Sequence, residues 1–438
     1  MPAIGKILIV FASMLIVARL RVQLGLALAL GGLVLNFWAG ATISEAAMNF
    51  GHSLLAAELW LFLAISVLII EMSRFMTEGR NADEIVAAAQ RWGGRHGGAA
   101  TLMALPAVIG LMPMPAGALF SAPFVQQAGG KIDGAPEWKS AVNYWFRHIW
   151  EYWWPLYPGV IVAMSVFDME AWQFISTQIF YTPVAVAAGY FFLIRPYLKH
   201  LSEMPATGEG SNRRALFLLL PLMVVVVSLF IIPFVLVKVF PEIDVEIRKL
   251  LAMVLGLIAA LGIFLRDERW VRRRTTDKGQ RTQRMFSTLF EQKSLNVLFS
   301  LVGILIFKFL LEKSNLLPLA SKELANSGIP PIYAVAALPF LAGFVTGIAL
   351  GFTGMSFPLV VGLMAMEGSG LTPLSTLVLA YGFGYMGMML SPVHLCLLVT
   401  TDYFSALLTG IYRQFLPCIL SVLVYCIGVH VLLRILGW

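Results

Sequence analysis

At 438 residues, 59% of them hydrophobic and only 13% charged, the chain has a mean hydropathy of +0.82, far from the roughly one-quarter charged residues of soluble domains. That balance excludes a soluble domain and reads as an all-α polytopic membrane protein. The formal charge of +7 is no nucleic-acid signal, because the basic residues fall in short loops between apolar spans and report orientation in the bilayer.

Lys6 precedes an apolar run from Ile7 to Val17 with no small-residue cleavage site after it, and Arg19 and Arg21 follow at once. A retained first helix is expected there rather than a removed signal. Windows of about 20 apolar residues predict helices near Ile4–Ala18, Val22–Trp38 and Leu54–Arg74. Asn81-Ala-Asp-Glu84 then reads as a capping box opening a short amphipathic helix to about Arg91. The apolar stretch Thr101–Ala128 carries Pro106, Pro113, Pro115 and Pro123 with Gly110 and Gly117, too many breakers for one straight helix. It is expected to form a re-entrant hairpin with its tip at Met112–Gly117. A span at Ala141–Met164, interrupted by Pro155 and Pro158, and a last one at Trp172–Ile194 complete the first half.

The second half repeats the order: helices near Ala215–Val237, Leu250–Leu265 and Leu295–Leu311, a short amphipathic segment over Asn315–Asn326, a broken stretch at Ile332–Met364, a span at Thr372–Val399 containing Pro392, and a helix at Tyr412–Leu436. Ser121-Ala-Pro-Phe-Val125 recurs as Ser356-Phe-Pro-Leu-Val360, Trp154-Pro155 answers to Ser391-Pro392, and Glu71 to Lys308, all at offsets of about 235–237 residues. With five crossings plus one hairpin per half, the halves are expected to be inverted-topology repeats with broken helices at the midplane: 1–194, a cytoplasmic linker at 195–213, and 214–438. The basic loops, above all the run from Arg266 to Arg284, put one side in the cytoplasm. Both termini are then expected outside the cell's inner (plasma) membrane.

The stretch Asn143-Tyr-Trp-Phe-Arg-His-Ile-Trp-Glu151 plants ionisable groups inside an apolar span. In a helix Arg147, His148 and Glu151 share one side, and intramembrane charges of this kind mark a functional site by default. Arg147 suits a carboxylate, since its planar fork accepts two oxygens, and His148 with Glu151 are candidates for proton or ion coupling. The competing readings are a structural Arg147–Glu151 pair and an interfacial belt of Trp145, Trp150, Trp153 and Trp154. The hairpin tips, Met112–Gly117 and Gly351–Ser356, free backbone groups that attract ions. Substrate candidates there are Ala116, Gly117, Ser121, Thr353, Gly354 and Ser356, joined by Asn143, Arg147, Ser391 and His394; small-residue packing is the alternative for the tips, and a satisfied core residue the alternative for His394.

Cys396, Cys418 and Cys426 fit neither a disulfide framework nor a metal-ligand spacing and read as small core residues. No Gly-x-Ser-x-Gly elbow, His-Glu-x-x-His motif or Walker A loop is written in the chain. Neither an enzyme nor an ATP-driven pump is therefore expected, and no cofactor beyond a coupling ion.

At Met112-Pro-Met-Pro-Ala-Gly-Ala118, at Asn143–Glu151 with Pro155-Leu-Tyr-Pro158, and at Ser391-Pro-Val-His-Leu-Cys396, the chain resembles an integral membrane family, domain of unknown function family 401, of the ion-transporter superfamily. In helix order it is distantly similar to that superfamily's dicarboxylate and citrate carriers. The resemblance implies a homodimer, an elevator-like movement of the hairpin-bearing part and a site between the hairpin tips. The Ser-Asn-Thr tips of those carriers are replaced here by Pro-Ala-Gly and Phe-Thr-Gly, so their substrate and coupling ion do not carry over. The expected function is a secondary active carrier of a small organic anion, coupled to H+ or Na+; an intramembrane enzyme using His148 and Glu151, and a channel, are the alternatives.

Overall fold

The computed structural model describes residues 2–20, 22–77, 81, 84, 87–88, 97–111, 117–129, 135–201, 212–266, 292–316, 318–320, 323, 330–366 and 368–437. The described secondary structure is entirely helical, and seven of these helical segments are long and apolar enough to cross a bilayer. The first half contributes α1 (Ala3–Arg19), α2 (Leu24–Trp38), α3 (Ile43–Leu55), α4 (Ala57–Thr77), α5 (Gly97–Gly110), α6 (Ala118–Ala128), α7 (Ala135–Arg147), α8 (Pro158–Val166), α9 (Ala171–Gln178) and α10 (Tyr181–Gly189). The second contributes α11 (Asn212–Val239), α12 (Val245–Arg266), α13 (Gln292–Lys313), α14 (Pro331–Thr346), α15 (Ala349–Met364), α16 (Pro373–Leu390), α17 (Leu395–Phe404) and α18 (Leu408–Leu436).

Most expected spans appear near their predicted limits, but α3 is a helix that hydropathy does not reveal. Thr42 accepts from the Glu45 amide at 3.2 Å and Glu45 accepts from the Thr42 amide at 2.8 Å, a capping box that starts a helix too polar to span. Most of the predicted amphipathic segment at 81–91 and half of that at 315–326 fall outside the described residues, as do residues 202–211 of the linker and 267–284 of the basic run.

The contacts between helices are reciprocal. α2 packs on α13 while α4 packs on α12; α5 packs on α7 as α14 does on α16; and α6 meets α17 while α15 meets α8. Glycines let these pairs approach: a Cβ at Gly25 would strike the Phe299 carbonyl, and one at Gly387 the Phe340 carbonyl. Such small-residue seams are how helices associate in lipid, where the hydrophobic effect gives no drive for helix to meet helix. The outer faces stay apolar. On α18, Ile411, Phe415, Cys418, Val422 and Cys426 are buried, whereas Leu420, Val424, Leu432 and Ile435 are exposed, the pattern of a helix in contact with the bilayer.

Charges inside the framework are paired. Glu71 meets Arg74 at 2.8 Å, Lys308 meets Glu58 at 3.8 Å, and Lys249 of α12 meets Asp168 and Glu170 of the α8–α9 loop at 2.9 and 3.5 Å. Lys249 also borders a cleft lined by Met164, Met169, Leu229, Pro233 and Met253. Past α10, Pro196 cannot donate to the helix ladder, and the chain widens to a π turn over Tyr190–Ile194 before tightening to a 3₁₀ turn over Arg195–His200. The Trp138 indole donates to the Leu193 carbonyl in this disturbed stretch.

Near the N-terminus, the amides of Ala3 and Ile4 donate to the two oxygens of Glu323 at 2.7 and 2.9 Å. The Ile4 and then the Ala3 amide hold its carboxyl below the usual carboxylate range. A lowered folded value means this tie is present at neutral pH and is lost only as pH falls through that value, below about 4.3. Glu323→Gln is expected to speed amide exchange in the first turn of α1 at pH 7, read by exchange mass spectrometry. Unchanged exchange would contradict the tie.

Candidate functional site

The first broken helix does not run to its prolines. α7 ends at Arg147, residues 148–157 form successive turns, and Pro158 opens α8 as its first helical residue, where a missing N–H costs nothing. A backbone unwound this early leaves carbonyls that lipid cannot satisfy, and side chains supply the donors. Tyr385 donates to the His148 carbonyl at 2.7 Å, Tyr381 to the Glu151 carbonyl at 2.6 Å and Thr182 to the Ile149 carbonyl at 2.6 Å. The second break, between α16 and α17, is closed likewise: Tyr144 donates to the Met389 carbonyl at 3.1 Å and Tyr412 to the Leu390 carbonyl at 2.9 Å. Each break is thus tied to the other by tyrosines.

The tryptophans are internal ties rather than an interfacial belt. Trp150 and Trp154 donate to the Ala107 and Leu111 carbonyls at 2.8 and 3.2 Å, Trp145 to Ala185 at 2.9 Å and Trp153 to the Thr182 hydroxyl at 2.8 Å. They fasten the first break to α5 and α10. Gly110 completes that seam, since its Cβ would land on the Arg147 carbonyl while its own carbonyl accepts from Tyr157. Backbone cannot step aside as a side chain can. Gly110→Ala is expected to destabilise by about 1–3 kcal/mol, seen as a lower melting temperature in detergent; an unchanged temperature would mean the seam is loose.

Arg147, His148 and Glu151 lie together although Glu151 stands in a turn. Arg147 Nη1 is 3.4 Å from Glu151 Oε1, and His148 Nε2 is 3.8 Å from the same oxygen. All three are buried, Arg147 at 1% exposure. His394, the residue before α17, joins them: its Nε2 is 3.1 Å from His148 Nε2. Each ring turns its Nδ1 to a backbone carbonyl, His148 to Tyr144 at 2.6 Å and His394 to Gly347 at 2.7 Å. A carbonyl only accepts, so each Nδ1 carries the proton and the two Nε2 atoms face each other as acceptors unless a proton or a cation lies between them. Cys396 completes the group, with its sulfur and one ring nitrogen of each histidine within 4.8 Å of one another.

Asn143 donates to the Ala118 carbonyl at 2.9 Å and the Thr400 hydroxyl at 3.3 Å, joining α7 to α6 and α17, and its buried Oδ1 has no partner among the described residues. Gly117 precedes α6 directly; Ala116, with 112–115, lies outside the described residues. The second tip differs from expectation. The chain turns at Gly347, whose φ of +66° is left-handed, and Gly351–Ser356 lies within α15. Gly351 and Gly354 serve close packing instead, since their Cβ atoms would strike Thr346 and Ile304. The hydroxyls of Ser121, Thr353 and Ser356 donate to the carbonyls of Ala118, Ala349 and Phe352, inside their own helices. Ser391 is buried at the second break, near Gly347. Tyr381 and Tyr385 are the residues sequence reasoning missed; their i, i+4 spacing on a glycine-rich helix was the available signal.

The family profile described as "Protein of unknown function (DUF401)" matches residues 4–435. The chain belongs to this family. No curated protein matches it. Among solved structures it is similar to the YdaH transporter of Alcanivorax borkumensis, whose crystal structure is described as revealing an unusual topology. The likeness has 13% identity and a TM-score of 0.46, covering 90% of this chain and 88% of that one. No function follows from a likeness of that degree.

Proposed function

We propose that this DUF401 protein is a secondary active carrier of a small organic anion, a carboxylate by preference, working by alternating access around the two breaks. The observation that carries the reading is Arg147: a permanent positive charge buried where two unwound helices meet, 3.4 Å from the Glu151 carboxylate, with a planar fork that suits the two oxygens of a carboxylate. A substrate carboxylate takes the place of Glu151 beside that fork. The reciprocal helix contacts support two inverted repeats with a midplane site, the arrangement of the ion-transporter superfamily. A homodimer, re-entrant hairpins, elevator movement and a plasma-membrane location with both termini outside belong to the same proposal.

The same geometry supports coupling to a cation. A cation, H+ or Na+, entering beside Glu151 neutralises the carboxylate that engages Arg147 and releases its fork to the substrate anion. Cation and anion then favour each other's binding, which is the requirement for symport. Asn143, Gly117, Ser391 and His394 frame the space around that exchange, and Ser121, Thr353, Gly354 and Ser356 shape the helices behind it.

A thermal-shift screen of small carboxylates tests the reading, because a ligand that binds the native state raises its apparent stability. A carboxylate that stabilises the wild type, more so with Na+ or at lower pH, and fails to stabilise Arg147→Gln is the expected result. Equal stabilisation of both proteins would remove Arg147 as the anchor.

A further inference from the structure

The geometry points to His148, His394 and Cys396 as a binding site for a monovalent thiophilic d10 cation, of the copper(I) and silver(I) class. Two imidazoles from opposite halves of the chain and one sulfur converge in a buried spot, all within 4.8 Å. The outer partners are those of metal-ligating histidines. Each ring donates its other N–H to a backbone carbonyl, which fixes the tautomer and aims the Nε2 lone pair inward. The two lone pairs meet at 3.1 Å, an arrangement that repels unless something positive sits between them. An ion bound at about 2.0 Å from each nitrogen holds them roughly 3.3–3.5 Å apart, so the rings need part by only a few tenths of an ångström.

Donor set and charge select the ion. A thiolate with imidazoles suits a soft ion, and three donors suit a trigonal one. Binding converts the Cys396 thiol to thiolate: the S–H proton leaves to solvent and the S–metal bond replaces it, with no change in oxidation state. Next to the site, Arg147 and Glu151 cancel each other. A monovalent ion exchanged for the thiol proton keeps this buried group neutral, whereas a divalent ion leaves one uncompensated positive charge beside Arg147 in the protein interior. Charge of that kind is costly in a medium of low dielectric. Sequence spacing gave no hint of the site because its ligands are separated by 246 residues at the histidine contact.

The inference goes beyond the carrier reading and does not depend on it, since binding is measured in detergent without transport. The probe is copper(I) under anaerobic conditions, titrated into the full chain against bicinchoninate. One copper(I) per chain is expected, with affinity lowered by at least about 100-fold in Cys396→Ser and unchanged in Cys418→Ser. His394→Asn is the second variant, because an amide N–H can still donate to the Gly347 carbonyl while the Nε2 ligand is lost; it too should lose about 100-fold or more. Copper X-ray absorption should show two nitrogen neighbours and one sulfur. No copper above the bicinchoninate competition, binding that survives both variants, or tighter binding of Zn2+ than of copper(I) in a parallel competition would overturn the assignment; the first result would leave a shared proton as the occupant of the histidine gap.

Discussion

Replacing Arg147 with Gln is expected to destabilise the protein by about 3–5 kcal/mol, because it leaves the buried Glu151 carboxylate without its cationic neighbour. The double variant Arg147→Gln/Glu151→Gln should recover most of that loss, since removing both charges removes the uncompensated one. Function separates the two possible roles of Arg147. A purely structural pair predicts that the double variant regains carboxylate binding along with stability. A substrate anchor predicts that it regains stability and still binds no carboxylate. The measurement is a double-mutant cycle of melting temperature in detergent, run in parallel with carboxylate-induced thermal shifts.

The second large effect concerns the tyrosines that close the first break. Tyr381→Phe and Tyr385→Phe each strip a donor from a buried backbone carbonyl, Glu151 and His148 respectively. An unsatisfied buried acceptor costs about 1–3 kcal/mol, and the surrounding ring contacts of Tyr152, Tyr381 and Tyr385 are retained by phenylalanine. Because both tyrosines hold one turn, the double variant is expected to lose less than the sum of the singles: once one carbonyl is free the turn relaxes and the other bond weakens. A loss below about 0.5 kcal/mol for both singles would show that the break finds other donors and that the tyrosines do not set its shape.

The spans and the two breaks were legible from hydropathy and proline placement, since a run of apolar residues and a missing N–H are local properties. Arg147, His148 and Glu151 were legible for the same reason: three ionisable residues in one short segment need no fold to be noticed. What sequence could not place was anything set by contact between halves. Cys396 looked like a small core residue, yet folding carries it to His148, while Cys418 and Cys426 are buried elsewhere in α18. The second hairpin turn was misplaced because glycine serves two ends. At Gly347 it supplies a left-handed turn, and at Gly351 and Gly354 it gives room for Thr346 and Ile304; the letters alone do not distinguish those uses. The break after Arg147 likewise begins before its prolines, because tyrosines from α16 stabilise the unwound carbonyls earlier than the first proline demands.

The most direct test of the carrier reading is counterflow in proteoliposomes, loaded with an excess of the carboxylate found by thermal shift and diluted into trace labelled carboxylate. The account predicts saturable uptake with a transient overshoot, a rate that responds to an imposed H+ or Na+ gradient, and no overshoot with Arg147→Gln. Flux that rises linearly with concentration and shows no overshoot would instead describe a channel. Absence of flux together with chemical conversion of the carboxylate in detergent would contradict the account in favour of an enzyme built on His148 and Glu151.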